Sequence, residues 1–169
     1  SPLLSMKPIR LFYHLDPEPR SYLEYYLIRQ AIPFEVVCLD EHVPVSMETD
    51  DVAGIVIMGG VGDVNQPTQY MRQELQLIRQ AADVQLPVMG VCLGAQLISK
   101  ALGGQVCQNE TLEVGWHIMQ QTQASRTQPW LADLPERFEV FQWHAHIYSK
   151  PPGAVVLAGN DCFSQQAFS

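Results

Sequence analysis

The chain has 169 residues, 47% of them apolar, and 18 acidic side chains against 10 basic ones, for a net charge of −8. That size and composition fit one globular domain with a sizeable core. No basic cluster is present to attract nucleic acid, and no apolar run is long enough to span a bilayer.

Ser1-Pro2-Leu3-Leu4-Ser5 lacks the charged and apolar regions of a signal peptide. Residues 1–8 read as an expression leftover and N-terminal arm, with Met6 as the native start. Residues 9–15 form a first strand, stopped by Asp16-Pro17-Glu18-Pro19. Residues 20–30 carry Leu23, Tyr26 and Leu27 at helical spacing, and Pro33 ends that helix. Residues 34–39 are β-branched and aromatic and predict a second strand. The third, 53–58, is a continuous apolar run, which predicts burial on both faces. A helix follows over 68–84, with Tyr70 or Met71, Leu75 and Ile78 on one side. Residues 87–91 are a fourth strand and 95–102 a third helix. This βαβ alternation predicts an α/β fold, an open and mostly parallel sheet with helices on both faces. After Gly103-Gly104 come short β-like runs at 105–108, 114–122, 138–142 and 155–158, which predict an antiparallel extension. Residues 127–134 predict a short helix, and Gln120-Gln121-Thr122-Gln123 a solvated edge or loop. No repeat or linker interrupts the chain, so residues 9–169 read as one domain.

In an open parallel sheet, functional groups gather at the carboxyl ends of the strands. Two sequences fall at such ends, Gly59-Gly60 and Gly90-Val91-Cys92-Leu93-Gly94. The second has the layout of a nucleophile elbow. Side chains at the flanking positions would collide where strand and helix meet, so glycine is needed there. The helix N-terminus favours thiolate over thiol, and its N–H groups can bind a developing oxyanion. An inert core thiol is the competing reading of Cys92. Gly59-Gly60 alone is equally an ordinary strand-ending turn. The four cysteines (38, 92, 107 and 162) show no paired spacing and no His-Cys metal pattern. They predict thiols kept reduced, a cytoplasmic setting and no metal.

Three blocks together resemble the class I glutamine amidotransferases, in particular stand-alone members similar to the amidotransferase half of GMP synthase. They are Gly90 through Gln96, then Ile57-Met58-Gly59-Gly60-Val61, then Phe141-Gln142-Trp143-His144 with Pro151-Pro152-Gly153-Ala154 and Gln166-Ala167-Phe168. Glu113-Val114-Gly115-Trp116 also fits. The blocks stand in the family's order. The resemblance implies a flavodoxin-like sheet and a thiol amidase without cofactor. Cys92 would attack the glutamine side-chain amide to form a γ-glutamyl thioester. The backbone N–H groups of Gly60 and Leu93 would stabilise the oxyanion, with Gly59 beside them. Gln96 would help to hold substrate; a merely solvated glutamine is the alternative.

The family's base comes from a late His-x-Glu motif, and no histidine follows His146 in these residues. The domain therefore reads as C-terminally incomplete, with an uncovered strand edge that invites a homodimer. His144 reads as a hydrogen-bonded structural residue at the site rim, and His146 as solvent-facing. His14, near Asp16, reads as a loop residue, and His42 as solvated. Strand alternation would put His117 and Trp116 on opposite faces. The resemblance implies L-glutamine or a γ-glutamyl compound as substrate and a separate synthetase chain as ammonia acceptor. A γ-glutamyl peptidase and a non-catalytic binding or regulatory module are the alternatives.

Overall fold

The computed structural model describes residues 6–14 and 20–169. The arm at residues 1–5 and the strand stop at 15–19 lie outside the described residues. The chain divides into two compact units, one ending at Ala101 and one spanning Leu102–Ser169.

The first unit is built on four parallel strands in the order β2-β1-β3-β4: β1 (Ile9–Tyr13), β2 (Phe34–Cys38), β3 (Gly54–Ile57) and β4 (Val88–Gly90). The central pair is in register with Ile9 opposite Gly54 and Phe12 opposite Ile57. All four residues of β3 are buried, as its unbroken apolar run requires. Helix α1 (Tyr22–Arg29) begins two residues later than its apolar spacing suggests, because Ser21 is the N-cap. Ser21 and Glu24 form a reciprocal capping box that satisfies two orphan N–H groups. Leu23 and Leu27 of this helix pack on Leu11, Tyr13 and Val56, one face of the sheet. Helix α2 (Gln69–Asp83) is capped by the Thr68 side chain and buries Met71, Glu74, Leu75 and Ile78. Helix α3 (Leu93–Ala101) starts two residues before its predicted position. It meets the opposite sheet face, where Gly94 lies against Ile57.

The second unit is a four-stranded sheet in the order β6-β5-β7-β8. Its strands are β5 (Val106–Gln121), β6 (Arg137–Tyr148), β7 (Val156–Gly159) and β8 (Ala167–Phe168), antiparallel throughout. Two separately predicted runs merge into the single long β5. An irregularity between Gln108 and Glu113 breaks the alternation that would have shown its continuity. The helix expected at 127–134 does not form. One 3-10 turn, Ala124–Thr127, is followed by turns. Pro129 cannot donate a helical hydrogen bond, and the Gln121 side chain holds this loop instead. Gln121 Nε2 lies within 3.3 Å of the carbonyls of Leu131, Leu134 and Pro135. Gln121 is thus a clamp rather than a solvated edge residue.

Candidate functional site

Cys92 stands between β4 and α3, and its backbone is left-handed, at φ 52°. A side chain rarely adopts that conformation, and it is held here from several directions. The Val91 N–H donates to the Ile57 carbonyl at 3.0 Å. The Gly94 N–H donates to the Val91 carbonyl at 3.0 Å, and the Gln96 N–H to the Cys92 carbonyl at 3.1 Å. The flanking glycines are sterically required. A Cβ on Gly90 would sit 2.5 Å from the Gly94 carbonyl carbon, and one on Gly94 would sit 2.0 Å from the Ile57 oxygen. The strained turn presents Cys92 as an exposed side chain, which removes the inert-core reading.

The electrostatics differ from expectation. Although the residue as a whole is exposed, partial burial of the thiol pushes its pKa up. The Leu93 N–H pulls it back only in part. Gln96 is buried in α3 and is not a solvated surface residue.

Gly59 and Gly60 end β3 beside the elbow. A Cβ on Gly59 would touch that of Cys92 at 3.4 Å, so the two backbones are adjacent. A Cβ on Gly60 would strike His14 Cβ at 2.7 Å. His14 is the residue that reasoning from sequence missed. It follows β1 in a bend, as the loop reading has it, but it is buried. Its Nε2 lies 2.9 Å from Glu74 Oε1 and its Nδ1 lies 3.4 Å from the Gly59 carbonyl. Burial pushes the His14 pKa down, but the Glu74 hydrogen bond and charge, with the Gly59 and Met58 carbonyls, outweigh it and raise it. With an acceptor facing each ring nitrogen, only the doubly protonated imidazolium satisfies both. The available signal was Glu74 itself, an acid on the apolar face of α2 among Met71, Leu75 and Ile78. A carboxylate there needs a buried partner.

The second unit has its own polar cluster, centred on the fully buried Glu113. Asn160 Nδ2 donates to Oε1 and Gln166 Nε2 to Oε2, each at 2.7 Å. His144 Nε2 approaches Oε2 at 2.7 Å, an ion-pair contact that misses hydrogen-bond alignment. His144 Nδ1 faces the His146 carbonyl at 2.9 Å. His117 Nδ1 is 3.8 Å from Glu113 Oε1, while Trp116 is exposed on the other face. Burial pushes Glu113 up, but the amide donors and the two histidines hold it below its ordinary value. His144 thus has its partners within this unit. His146 is half-buried, not solvent-facing, and His42 is exposed. Among the described residues no group of His, Cys, Asp and Glu could hold a metal ion, and no helix is long and apolar enough to cross a membrane.

A family model described as "Glutamine amidotransferase class-I" matches residues 20–167. The chain is 37% identical over 90 residues to the glutamine amidotransferase-like protein YfeJ of Salmonella typhimurium, covering 53% of this chain and 38% of that protein. It is 35% identical over 106 residues to the glutamine-hydrolyzing GMP synthase of Thermomicrobium roseum, covering 62% of this chain and 19% of the synthase. The chain thus spans well under half of these curated relatives. Among solved structures it resembles a glutamine amidotransferase of Methylobacillus flagellatus, with a TM-score of 0.90 and 33% identity, over 98% of this chain and 66% of that one. A glutamine amidotransferase of Thermotoga maritima shares the fold with a TM-score of 0.87 and 21% identity, over 96% and 70% of the two chains.

Proposed function

The chain belongs to the class I glutamine amidotransferase family, and we propose that it carries the nucleophilic half of a glutaminase site. The Cys92 thiol gives its proton to a base, and the sulfur attacks the side-chain amide carbon of glutamine. The carbonyl becomes an oxyanion, which the Gly60 and Leu93 N–H groups bind. The carbon–nitrogen bond then breaks, and a proton donor releases the nitrogen as ammonia. The γ-glutamyl thioester that remains is attacked by water, the carbon–sulfur bond breaks, and glutamate leaves with the thiol restored. Buried Gln96 helps to hold the substrate.

One observation carries this reading: a left-handed, exposed cysteine whose flanking glycines admit no side chain, with Gly59 against it. A core or structural cysteine has no use for that strain. The raised Cys92 pKa calls for a base, and we assign that part to the His-x-Glu pair characteristic of the family. The ammonia passes to a synthetase, as the relatives named glutamine-hydrolyzing GMP synthase suggest.

The test is a glutamine-analogue chloroketone applied to the intact native protein. The reading predicts covalent labelling of Cys92, loss of glutaminase activity in step with labelling, and no activity in Cys92→Ala. Activity retained in that variant would sink the nucleophile assignment. Labelling without any glutamine turnover in the unlabelled protein would favour a binding module.

A further inference from the structure

We propose that His14 is a positioning residue for the oxyanion cradle: clamped by Glu74, its ring fixes the Gly59 carbonyl and thereby aims the Gly60 N–H toward Cys92. The inference rests on the amidotransferase reading of Cys92 and Gly60. In a trans peptide the C=O and N–H lie in one plane and point in opposite directions. Fixing the Gly59 oxygen therefore fixes the direction of the Gly60 N–H. The two neighbours stand on opposite sides of this peptide. A side chain on Gly59 would meet Cys92, whereas one on Gly60 would meet His14. Glycine lacks the Cβ that limits backbone rotation, so a Gly-Gly peptide holds a single orientation only if something outside it does the holding. His14 Nδ1 is within 3.4 Å of the Gly59 oxygen, and its other nitrogen is anchored 2.9 Å from Glu74, sixty residues away on α2. Both side chains are essentially inaccessible to solvent, so water does not compete. Among the described residues Tyr70 also stands against the ring, with centroids 5.9 Å apart. The ring is not the base for Cys92, because both its nitrogens are already occupied.

Two near-isosteric variants separate this role from a structural one. In His14→Asn the side-chain amide can take the place of Nδ1 and keep a donor on the Gly59 carbonyl. In His14→Gln the amide takes the place of Nε2 and keeps the Glu74 contact. If the ring orients the cradle, kcat in the intact protein falls ~100-fold in His14→Gln but less than ~10-fold in His14→Asn, with KM nearly unchanged. The rate of Cys92 alkylation by iodoacetamide stays the same in both, since it needs no oxyanion donor. If His14 only supports the fold, the order reverses, because His14→Asn breaks the buried ion pair; equal or reversed kcat values overturn the proposal. A readout without mutation is the ring itself. With 15N-labelled histidine, wild-type His14 should show two protected ring N–H signals at neutral pH, and a single one would also overturn the proposal. A wild-type protein with no glutamine turnover would overturn the amidotransferase reading, and this role with it. Normal wild-type turnover with the reversed order would overturn the role alone.

Discussion

Cys92 is held where a cysteine costs the protein stability. A left-handed residue with a side chain is less stable than glycine by ~1 kcal/mol or more, and Cys92 has φ 52°. Removing the sulfur alone leaves that cost in place, whereas removing the Cβ relieves it. Cys92→Gly is thus expected to be more stable than Cys92→Ala by about 1 kcal/mol, even after the extra chain entropy of glycine. Thermal unfolding of the two variants checks this; equal stability would mean that the elbow is not strained. The elbow was legible in the sequence because its requirements are local. Two glycines around one cysteine, between a strand and a helix, specify the turn without help from elsewhere. His14 was not legible from its neighbours, because its partner Glu74 is sixty residues away. Nor was the direction of the Cys92 pKa, since the desolvation that raises it comes from packing the sequence does not display.

At the scale of elements, the parallel sheet followed from the alternation of apolar strands with capped amphipathic helices. Leu75 and Ile78 of α2 are buried where the spacing put them, and of Tyr70 and Met71 it is Met71 that joins them. The antiparallel sheet was harder to read. The β5–β6 pair exposes Val114, Trp116, Ile118, Phe141 and Trp143 on one face. Its opposite face carries Glu113, His117 and His144, so hydropathy alternation points the wrong way. What holds this face is the Glu113 cluster. Removing the carboxylate strands two amide donors and His144. Glu113→Ala should therefore cost this unit about 3 kcal/mol or more. The unfolding signal is clean, because all three tryptophans (116, 130 and 143) belong to this unit. The acid response follows from the same geometry. Glu113 in the folded protein titrates below the ordinary 4.5, so its contribution is present above that pH and is lost as pH falls further toward the folded value. Urea denaturation followed by tryptophan fluorescence should show this acid-dependent loss in the wild type and a smaller one in Glu113→Gln. An identical pH dependence in the variant would count against the cluster.

For the whole molecule, fold and family are readable from motif order, and the chemistry is readable only in part. The described residues hold the strained Cys92 turn beside Gly59 in the first unit and a carboxylate-centred cluster in the second. Burial raises the Cys92 pKa, and the proposed chemistry asks for a base at that thiol. The most direct test is to trap the intermediate. The intact protein is mixed with glutamine, quenched in acid during turnover and digested for peptide mass spectrometry. The account predicts one γ-glutamyl adduct, on the Cys92 peptide, labile to hydroxylamine and absent from Cys92→Ala. An adduct on Cys38, Cys107 or Cys162, or steady ammonia release without any adduct on Cys92 and undiminished in Cys92→Ala, would contradict it.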